Sequence, residues 1–258
     1  SIKLNDSNAD VKSKDVLGEG AFSTVFVGED ASPKFGHPIK KYAIKRMFLQ
    51  NEEFIHAYEE EVASFQRFRH PNVMTILDAQ DSYEEGNKCR VAYLLFPLMR
   101  GSLRDQLNDT VLTSGWYDVS SDVRQQRLRS TLRQYLDILR AFNTLHTHDP
   151  PFIHQDIKPE NILISTQNNY GGQYDNNSSS RDGDSVDVEM GSLMHDTSAH
   201  GGKSLIDNVS IWSNGKPLLT DFGSVRKAVV YIKDRKESLR VADEAASFCT
   251  ISYRAPEL

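Results

Sequence analysis

The sequence predicts an α+β fold of two lobes, a small β-rich N-terminal lobe with one long helix and the first part of a helical C-terminal lobe. Residues 13–47 contain short apolar runs separated by turn residues, which is typical of antiparallel strands. Residues 52–69 and 124–148 repeat apolar side chains at three- and four-residue steps, as amphipathic helices do. A chain of 258 residues is long enough for two lobes around a cleft.

The elements follow from local patterns, taken in chain order. Residues 24–27, 41–45, 73–77 and 91–95 are apolar or alternating and predict strands. The helix over 52–69 ends at His70-Pro71-Asn72, and shorter apolar spacing predicts a helix at 103–107. In the helix over 124–148, an apolar stripe is predicted to face the core; it consists of Leu128, Leu132, Tyr135, Leu136, Leu139 and Leu145.

One segment of the chain differs in composition from the rest. Residues 166–215 are rich in Asn, Ser, Asp and Gly and poor in large apolar residues, which predicts a disordered insertion. Strand-like residues border the insertion on both sides, so it can loop out without disturbing the fold.

Bulk composition narrows the classes of protein. The net charge is −6, so no nucleic-acid partner is expected. The two cysteines, Cys89 and Cys249, form no CxxC pair, which argues against a disulfide framework or a zinc site and favours a cytoplasmic location. The chain contains no run of about 18 apolar residues of the kind that spans a bilayer.

A glycine turn lies between the first two predicted strands. It reads Gly18-Glu19-Gly20-Ala21-Phe22-Ser23-Thr24-Val25. Glycines let a backbone approach phosphate oxygens closely, which suits a nucleotide site. The turn is equally typical of an ordinary hairpin, and Ser23 stands where a third glycine would complete the pattern.

A lysine on a predicted strand requires a partner if it points inward. Lys45 in Ala43-Ile44-Lys45 could meet nucleotide phosphates and Glu61 on the following helix. Phe65 and Phe68 define the apolar face of that helix, and Glu61 lies one turn before Phe65. Two alternatives stay open: a solvated Lys45 with a solvated helix glutamate, and a register that selects Glu59 or Glu60.

The most specific motif is His154-Gln155-Asp156-Ile157-Lys158-Pro159-Glu160-Asn161. Asp156 can orient or accept the proton of an attacking hydroxyl, and Lys158 can neutralise charge on a transferring phosphoryl group. Asn161 offers an amide oxygen to Mg²⁺. Asp221-Phe222-Gly223 follows a later strand; Asp221 would bind Mg²⁺, and Phe222 is expected to pack under the helix that carries Glu61.

With these four motifs in order, the chain resembles the protein kinase family from Gly18 to Ala255-Pro256-Glu257. The resemblance implies ATP and Mg²⁺ as cofactors and protein substrates with Ser or Thr hydroxyls. It implies Asp156 as catalytic base, Asn161 and Asp221 as metal ligands, and Lys45–Glu61 as an ion pair. Lys158 and Thr250 resemble the serine/threonine class, and residues 221–257 correspond to the activation segment. The division of the chain that the resemblance implies is an N-terminal tail at 1–12, the N-lobe and hinge at 13–98, and a partial C-lobe at 99–258.

The resemblance also implies a set of nucleotide contacts. Leu95 would guard the pocket, and the backbones of Phe96 and Leu98 would bind adenine. Val25, Ala43 and Leu163 would sandwich the ring. The remaining implied contacts come from Lys45 and from the turn: Leu17, Gly18, Glu19, Gly20 and Ala21.

The segment 239–258 is similar to the numb-associated kinase family, nearest the branch of the myristoylated and palmitoylated serine/threonine kinase. This resemblance implies an extra helix near 238–246, constitutive activity, and association with Golgi or other internal membranes through N-terminal acylation. The chain begins at Ser1, so the acylated terminus is expected to precede it. Gln155 replaces the arginine that usually clamps a phosphorylated loop, so loop phosphorylation should matter less.

Three alternatives to an active kinase follow from the same residues. Ser23 and Gln155 are also compatible with a weak or inactive kinase-like scaffold that binds nucleotide or partners. The chain stops at Leu258, before helices that complete the C-lobe of the family, so an inactive fragment with exposed apolar surface is also an expectation. An unrelated polar-loop protein would require all four motifs to be coincidental.

Overall fold

The structure is a computed structural model that describes residues 2–3, 10–20, 23–30, 41–86, 88–113, 120–165 and 215–254. Of the predicted insertion over 166–215, all but Gly215 lies outside the described residues. Ala21 of the glycine turn and residues 255–257 of the activation segment also lie outside them.

The strands and helices are as follows. The strands are β1 (Ile2–Lys3), β2 (Asp10–Glu19), β3 (Ser23–Asp30), β4 (Lys41–Leu49), β5 (Asp78–Glu84), β6 (Cys89–Pro97), β7 (Gly101–Ser102), β8 (Phe152–Ile153), β9 (Ile162–Ile164), β10 (Pro217–Leu219) and β11 (Arg226–Lys227). The helices are α1 (Glu52–Arg67), α2 (Leu103–Thr113), α3 (Ser121–His146) and α4 (Arg235–Phe248). Short 3-10 turns cover Pro159–Asn161, Phe222–Ser224 and Ile251–Tyr253.

The N-lobe is a six-stranded sheet in the order β1-β2-β3-β4-β6-β5, covered on one face by α1. Alternate residues of β4 point to opposite faces, so Met47 and Leu49 enter the core that α1 shares while Ile44 enters a separate cluster with Leu95. Burial of these side chains stabilises the sheet, since each large apolar residue contributes about 1.5–3 kcal/mol.

Local sequence explains where α1 begins. The side chain of Asn51 accepts a hydrogen bond from the backbone N–H of Phe54 at 3.1 Å and so caps the helix. Glu52 and Glu53 follow in the first turn, where the helix dipole favours acidic residues. The buried face of α1 carries Glu61 and Phe65 towards the lobe interface.

The C-lobe positions the loops of the site with two small sheets. One has the order β10-β9-β7, and the other pairs β11 with β8. The ring of Phe222, which follows β10, packs edge-on against Phe65 of α1 at a centroid distance of 4.8 Å. The predicted position of Phe222 under the Glu61 helix is thereby confirmed, and this contact ties the two lobes together.

Several predicted elements differ from the structure. Pairing reaches into the predicted tail, because Ile2 and Lys3 of β1 pair with Val11 and Asp10 of β2. Residues 73–77 form no strand; Val73 makes one isolated bridge to Leu219. The strand β5 was not predicted, because its sequence Asp78–Glu84 is mostly polar. It is the outermost strand of the sheet, and such an edge strand can carry polar and charged residues.

The apolar stripe of α3 is also only partly buried. Leu145 is fully buried, but each of the other five members exposes more than 40% of its surface to solvent. The described core meets α3 near its C-terminal end, where Ala141, Phe142 and Leu145 pack. No helix of the described part is long and apolar enough to cross a membrane.

Candidate active site

Lys45 joins three elements at the interface between the lobes. Its Nζ donates to the two carboxylate oxygens of Glu61 at 2.7 and 2.9 Å and lies 3.4 Å from Oδ1 of Asp221. The side chain of Glu61 is 2% exposed and that of Lys45 is 16% exposed. Both are therefore held inside the protein, and Glu61, not Glu59 or Glu60, is the helix partner of Lys45.

The charge state of this pair follows from its surroundings. Burial alone lowers the pKa of Lys45, but attraction to Glu61 and Asp221 outweighs burial and leaves the pKa raised. Lys45 is therefore a permanent cation at neutral pH. A buried cation of this kind orients the Asp221 carboxylate and provides positive charge for an anionic ligand.

A second cluster surrounds Asp156. Its Oδ2 accepts from Lys158 Nζ at 2.6 Å, and its Oδ1 accepts from Thr250 Oγ1 at 2.6 Å and from the Thr250 N–H at 3.1 Å. Lys158 Nζ also donates to Thr250 Oγ1 at 2.8 Å. Asp156, Lys158 and Thr250 thus form a closed hydrogen-bonded triangle, in which Thr250 comes from a segment more than 90 residues away in the sequence.

The same contacts determine the protonation of Asp156. Burial by itself raises the pKa of Asp156, but the hydrogen bonds from Lys158 and Thr250 outweigh burial and hold the pKa below its usual range. Asp156 is therefore a carboxylate at neutral pH. A carboxylate with fixed orientation can position a hydroxyl group and accept its proton.

Asn161 and Asp221 are brought together despite the long segment between them. The Asn161 amide nitrogen donates to the Asp156 backbone carbonyl at 2.9 Å. The Thr220 N–H donates to the Asn161 carbonyl at 3.1 Å, which places Asp221 next to Asn161. The side chain of His154 is buried, and its Nε2 lies 2.9 Å from the carbonyl oxygen of Thr220. This contact helps to hold Thr220, and with it the neighbouring Asp221, in position.

Two residues of this region adopt a left-handed backbone. Gln155 has φ 65° and Asp221 has φ 63°, a region that side-chain-bearing residues seldom occupy. Such strain persists only where surrounding contacts hold it, and it concentrates at functional sites. The Gln155 carbonyl accepts from Cys249 Sγ at 3.1 Å, so the activation segment helps to hold this conformation.

The glycine turn leads into the strand that faces Lys45. The Gly20 N–H donates to the Ser23 carbonyl at 2.8 Å, and a Cβ at Gly20 would lie only 3.3 Å from Ser23 Oγ. Gly18 and Glu19 belong to β2, and Leu17 beside them is exposed. The structure therefore explains glycine at position 20 by close packing against Ser23.

The structure shows where the three residues predicted to contact the adenine ring lie. Val25 is the cross-strand partner of Lys45, and Ala43 lies two residues before Lys45, so all three share a face. Leu163 of β9 packs against the main core from the C-lobe. Val25, Ala43 and Leu163 thus belong to the two lobes that meet at this site.

The prediction for Leu95 is wrong. Lys45 pairs with Leu94 and Ala43 pairs with Phe96, so these residues share the face of Lys45. Leu95 pairs with Ile44 and packs with it on the opposite face. The continuous apolar run of β6 hides the register, because a strand buried on both faces shows no alternation.

The sequence predicted only a backbone contact for Phe96, but its side chain lies on the face of the sheet that carries Lys45. It is 8% exposed, and its ring lies 5.1 Å from that of Phe65. The sequence carries no signal for this role, and only the pairing of Phe96 with Ala43 in the structure identifies it. The predicted backbone contact at Leu98 lies one residue beyond the end of β6.

Comparisons of the sequence with known proteins find one matching family and several related proteins. The sequence model of the family described as protein kinase domain matches residues 11–171. A probable serine/threonine-protein kinase of Dictyostelium discoideum is 31% identical over 94% of this chain and 67% of its own length. Serine/threonine-protein kinase 16 of Mus musculus is 27% identical over 94% of this chain and 58% of its own length. The chain therefore spans between a half and about two thirds of these relatives.

Proposed function

Because the chain belongs to the protein kinase domain family, we propose that it is an ATP-dependent protein serine/threonine kinase. One observation carries the proposal: a continuous set of contacts links Lys45 and Glu61 through Asp221 and Asn161 to Asp156. This arrangement brings together a buried cation, two side chains with oxygen atoms suited to a metal, and a fixed carboxylate, and so supports the proposal. Phosphoryl transfer requires positioning and charge stabilisation of this kind.

In the proposed reaction, the substrate hydroxyl lies against Asp156. The hydroxyl oxygen bonds to the γ-phosphorus of ATP, the bond from that phosphorus to the β–γ bridging oxygen breaks, and ADP leaves. The hydroxyl proton passes to Asp156, which its contacts keep deprotonated beforehand. Lys158, 2.6 Å from Asp156, neutralises negative charge on the transferring group.

The donor set fits Mg²⁺. Asn161 uses its amide nitrogen on Asp156, so its amide oxygen points the other way, and Asp221 supplies a carboxylate that is 40% exposed. The described residues contain no group of three His, Cys, Asp or Glu that could hold a metal alone. Mg²⁺ commonly takes one or two protein oxygens together with substrate phosphates. Bound there, it would neutralise the phosphates of ATP.

We place the nucleotide base against Val25, Ala43 and Leu163, with Phe96 at the back of the pocket. The register of β6 supports Phe96 in the role expected for Leu95. The same one-residue shift moves the adenine-binding backbone groups from Phe96 and Leu98 to Pro97 and Met99. Pro97 lacks an N–H and can only accept, whereas Met99 can do both.

The pocket assignment predicts a difference between two neighbouring residues. Phe96→Ala should let the protein use ATP analogues with a bulky substituent on the base, because it removes a ring on the Lys45 face. Leu95→Ala deletes a side chain of similar burial on the opposite face, so nucleotide preference should stay that of the parent. Each change should cost about 2–5 kcal/mol of stability. Competition binding of ATP and the analogue measures the preference, and equal behaviour of both variants would contradict the assignment.

We also propose membership of the numb-associated kinase family. The helix α4 (Arg235–Phe248) coincides with the extra helix expected near 238–246 and supports this branch. Arg226, 3.8 Å from Glu244 of α4, gives the activation segment an internal ion pair in place of a phosphate contact. With Gln155 in the preceding loop, this arrangement supports activity without loop phosphorylation. Cytoplasmic location with attachment to Golgi or other internal membranes is a proposal that rests on the resemblance alone.

The second candidate function is a nucleotide-binding scaffold without transfer activity. Gln155 and Ser23 favour it, since neither is the residue that completes the family motif. The intact protein with γ-labelled ATP and Mg²⁺ separates the two functions. A kinase should label itself or a Ser/Thr peptide, and both EDTA and Asp221→Asn should remove the label. Nucleotide binding without any labelling would support the scaffold.

A further inference from the structure

The activation segment carries a concentrated positive charge that the reaction chemistry does not use. Residues 227–236, called the cationic strip below, contain four exposed cations: Lys227, Lys233, Arg235 and Lys236. Asp234 is the one carboxylate among them, so the strip has a net charge of +3 in a chain of net charge −6. This contrast marks the strip as a surface for an anionic partner.

The charge of the strip is not neutralised within the described residues. None of the four cations lies within ion-pair distance of a carboxylate in that part of the chain. The neighbouring Arg226 and Arg240 do pair, and both pair with Glu244. Two carboxylates of α4 next to the strip are thus engaged: Glu244 by these arginines, and Glu237 by the Lys233 backbone N–H at 3.0 Å. The four side-chain cations of the strip make no ion pair within the described residues.

The strip also exposes consecutive apolar side chains. Val229, Val230 and Ile232 are each at least 50% exposed, and Tyr231 is 84% exposed. They lie between β11 and α4, in a segment without regular secondary structure. Four adjacent apolar residues flanked by cations match a partner that offers an apolar side chain and acidic groups together.

Both ends of the strip lead back to the reacting groups. Its first residue comes six positions after Asp221, and the helix that follows it ends beside Thr250, which donates to Asp156 at 2.6 Å. In the catalytic loop itself, Glu160 is already paired with Arg104 of α2 at 2.9 Å. The strip therefore belongs to the segment that joins Asp221, which contacts Lys45, to Thr250, which contacts Asp156.

We propose that the cationic strip binds an acidic segment of the protein substrate, one that also carries a large apolar side chain, and thereby selects acidic substrates. The proposal rests on the kinase function proposed above and adds the substrate class to it. A substrate segment is favoured over an anionic membrane because the strip lies in the chain between Asp221 and Thr250, whose side chains contact Lys45 and Asp156.

The test measures peptide binding to the intact protein by fluorescence anisotropy, without nucleotide. One labelled peptide has a central Ser flanked by Glu residues and a Phe, and its matched partner has Ala in place of Glu. The acidic peptide should bind about tenfold more tightly, since several exposed charge pairs each contribute modestly. The preference should weaken as NaCl is raised, because salt screens exposed charges.

Charge reversal locates the effect. Lys227→Glu with Lys233→Glu should reduce the preference to less than about twofold, and neither residue lies within α4. Arg129→Glu with Arg133→Glu makes the same charge change on exposed positions of α3 and should leave the preference intact. Equal effects of the two double variants would overturn the proposal, since only net charge would then matter.

Two further results are decisive. Binding to phosphatidylserine vesicles that the strip variant loses, with peptide binding unchanged, would overturn the proposal in favour of a membrane surface. An acidic preference without phosphoryl transfer would uphold the strip and contradict the kinase function. Transfer to Ser peptides without any acidic preference would uphold the kinase function and overturn the strip.

Discussion

Asp156→Asn is expected to reduce the rate of phosphoryl transfer by about 10³-fold, within the range of 10²–10⁴ that general acid–base groups contribute. The amide cannot accept the hydroxyl proton, and it leaves Lys158 without its carboxylate partner at 2.6 Å. The KM for ATP should change little, because Lys45 and Glu61, the residues proposed to face the nucleotide, are unchanged in this variant. Steady-state transfer to a Ser peptide, with nucleotide binding measured separately, checks both parts.

The control for this variant is Asp137→Asn. Asp137 pairs with Arg140 on the surface of α3 and touches none of the site residues described above, so its loss should leave the rate within a factor of two. A folded Asp156→Asn protein that keeps more than a tenth of the parent rate would contradict the role of Asp156. Thermal unfolding of both variants shows whether each is folded.

The pH dependence follows from the depressed pKa of Asp156. Since the folded pKa lies below the ordinary value of 3.8, Asp156 adds stability above that value, and this stability is lost as the pH falls through the folded pKa. Lys158→Met removes a main cause of the depression and should raise the pKa of Asp156. A ¹³C NMR titration of the Asp156 carboxyl group measures the shift, and an unchanged titration would show that Thr250 alone holds it.

Lys45→Met is expected to destabilise the protein by about 3 kcal/mol, because it leaves the Glu61 carboxylate buried without its cation. Glu61→Gln should cost less, since Lys45 keeps Asp221 at 3.4 Å. The double variant Lys45→Met with Glu61→Gln should recover most of the lost stability, because no uncompensated charge is then buried. Transfer activity should be lost in the single Lys45 variant and should not return in the double variant.

Urea unfolding at neutral pH measures these differences, and the double-mutant cycle separates the pair from the single effects. Lys41→Met is the matched control, since Lys41 lies on the same strand. Its side chain is 52% exposed, and its Nζ forms a longer ion pair, 3.8 Å from Oε1 of Glu29. Its cost should stay below about 1 kcal/mol. Equal costs for Lys41→Met and Lys45→Met would show that Lys45 is not part of a buried ion pair.

Much of the fold could be predicted where the sequence pattern is compatible with only one local structure. The three- and four-residue apolar steps of α1, with Asn51 before it, specify a helix from local information alone. The paired glycines before Ser23 likewise specify a turn. The predicted Lys45–Glu61 contact was found because a strand lysine and a helix carboxylate require each other once both are buried.

Where the pattern has two meanings, prediction failed. Every residue from Val91 to Phe96 is apolar or aromatic, so the sequence could not say whether Leu95 or Phe96 faces Lys45. Pairing with β4 decided this, and the shift of one residue exchanged the two faces. The α3 stripe is a similar case, because periodicity indicates an apolar face without indicating which packed elements cover it.

The sequence by itself determined the order of the four motifs, the two-lobed fold and the residue types of the chemistry. Only the tertiary structure decided that Thr250 bonds Asp156, that Glu160 pairs with Arg104, and that the cations of the strip are exposed. The physical reason is distance along the chain. Spacing within one element follows from its repeat, whereas contacts between remote segments depend on how the elements pack.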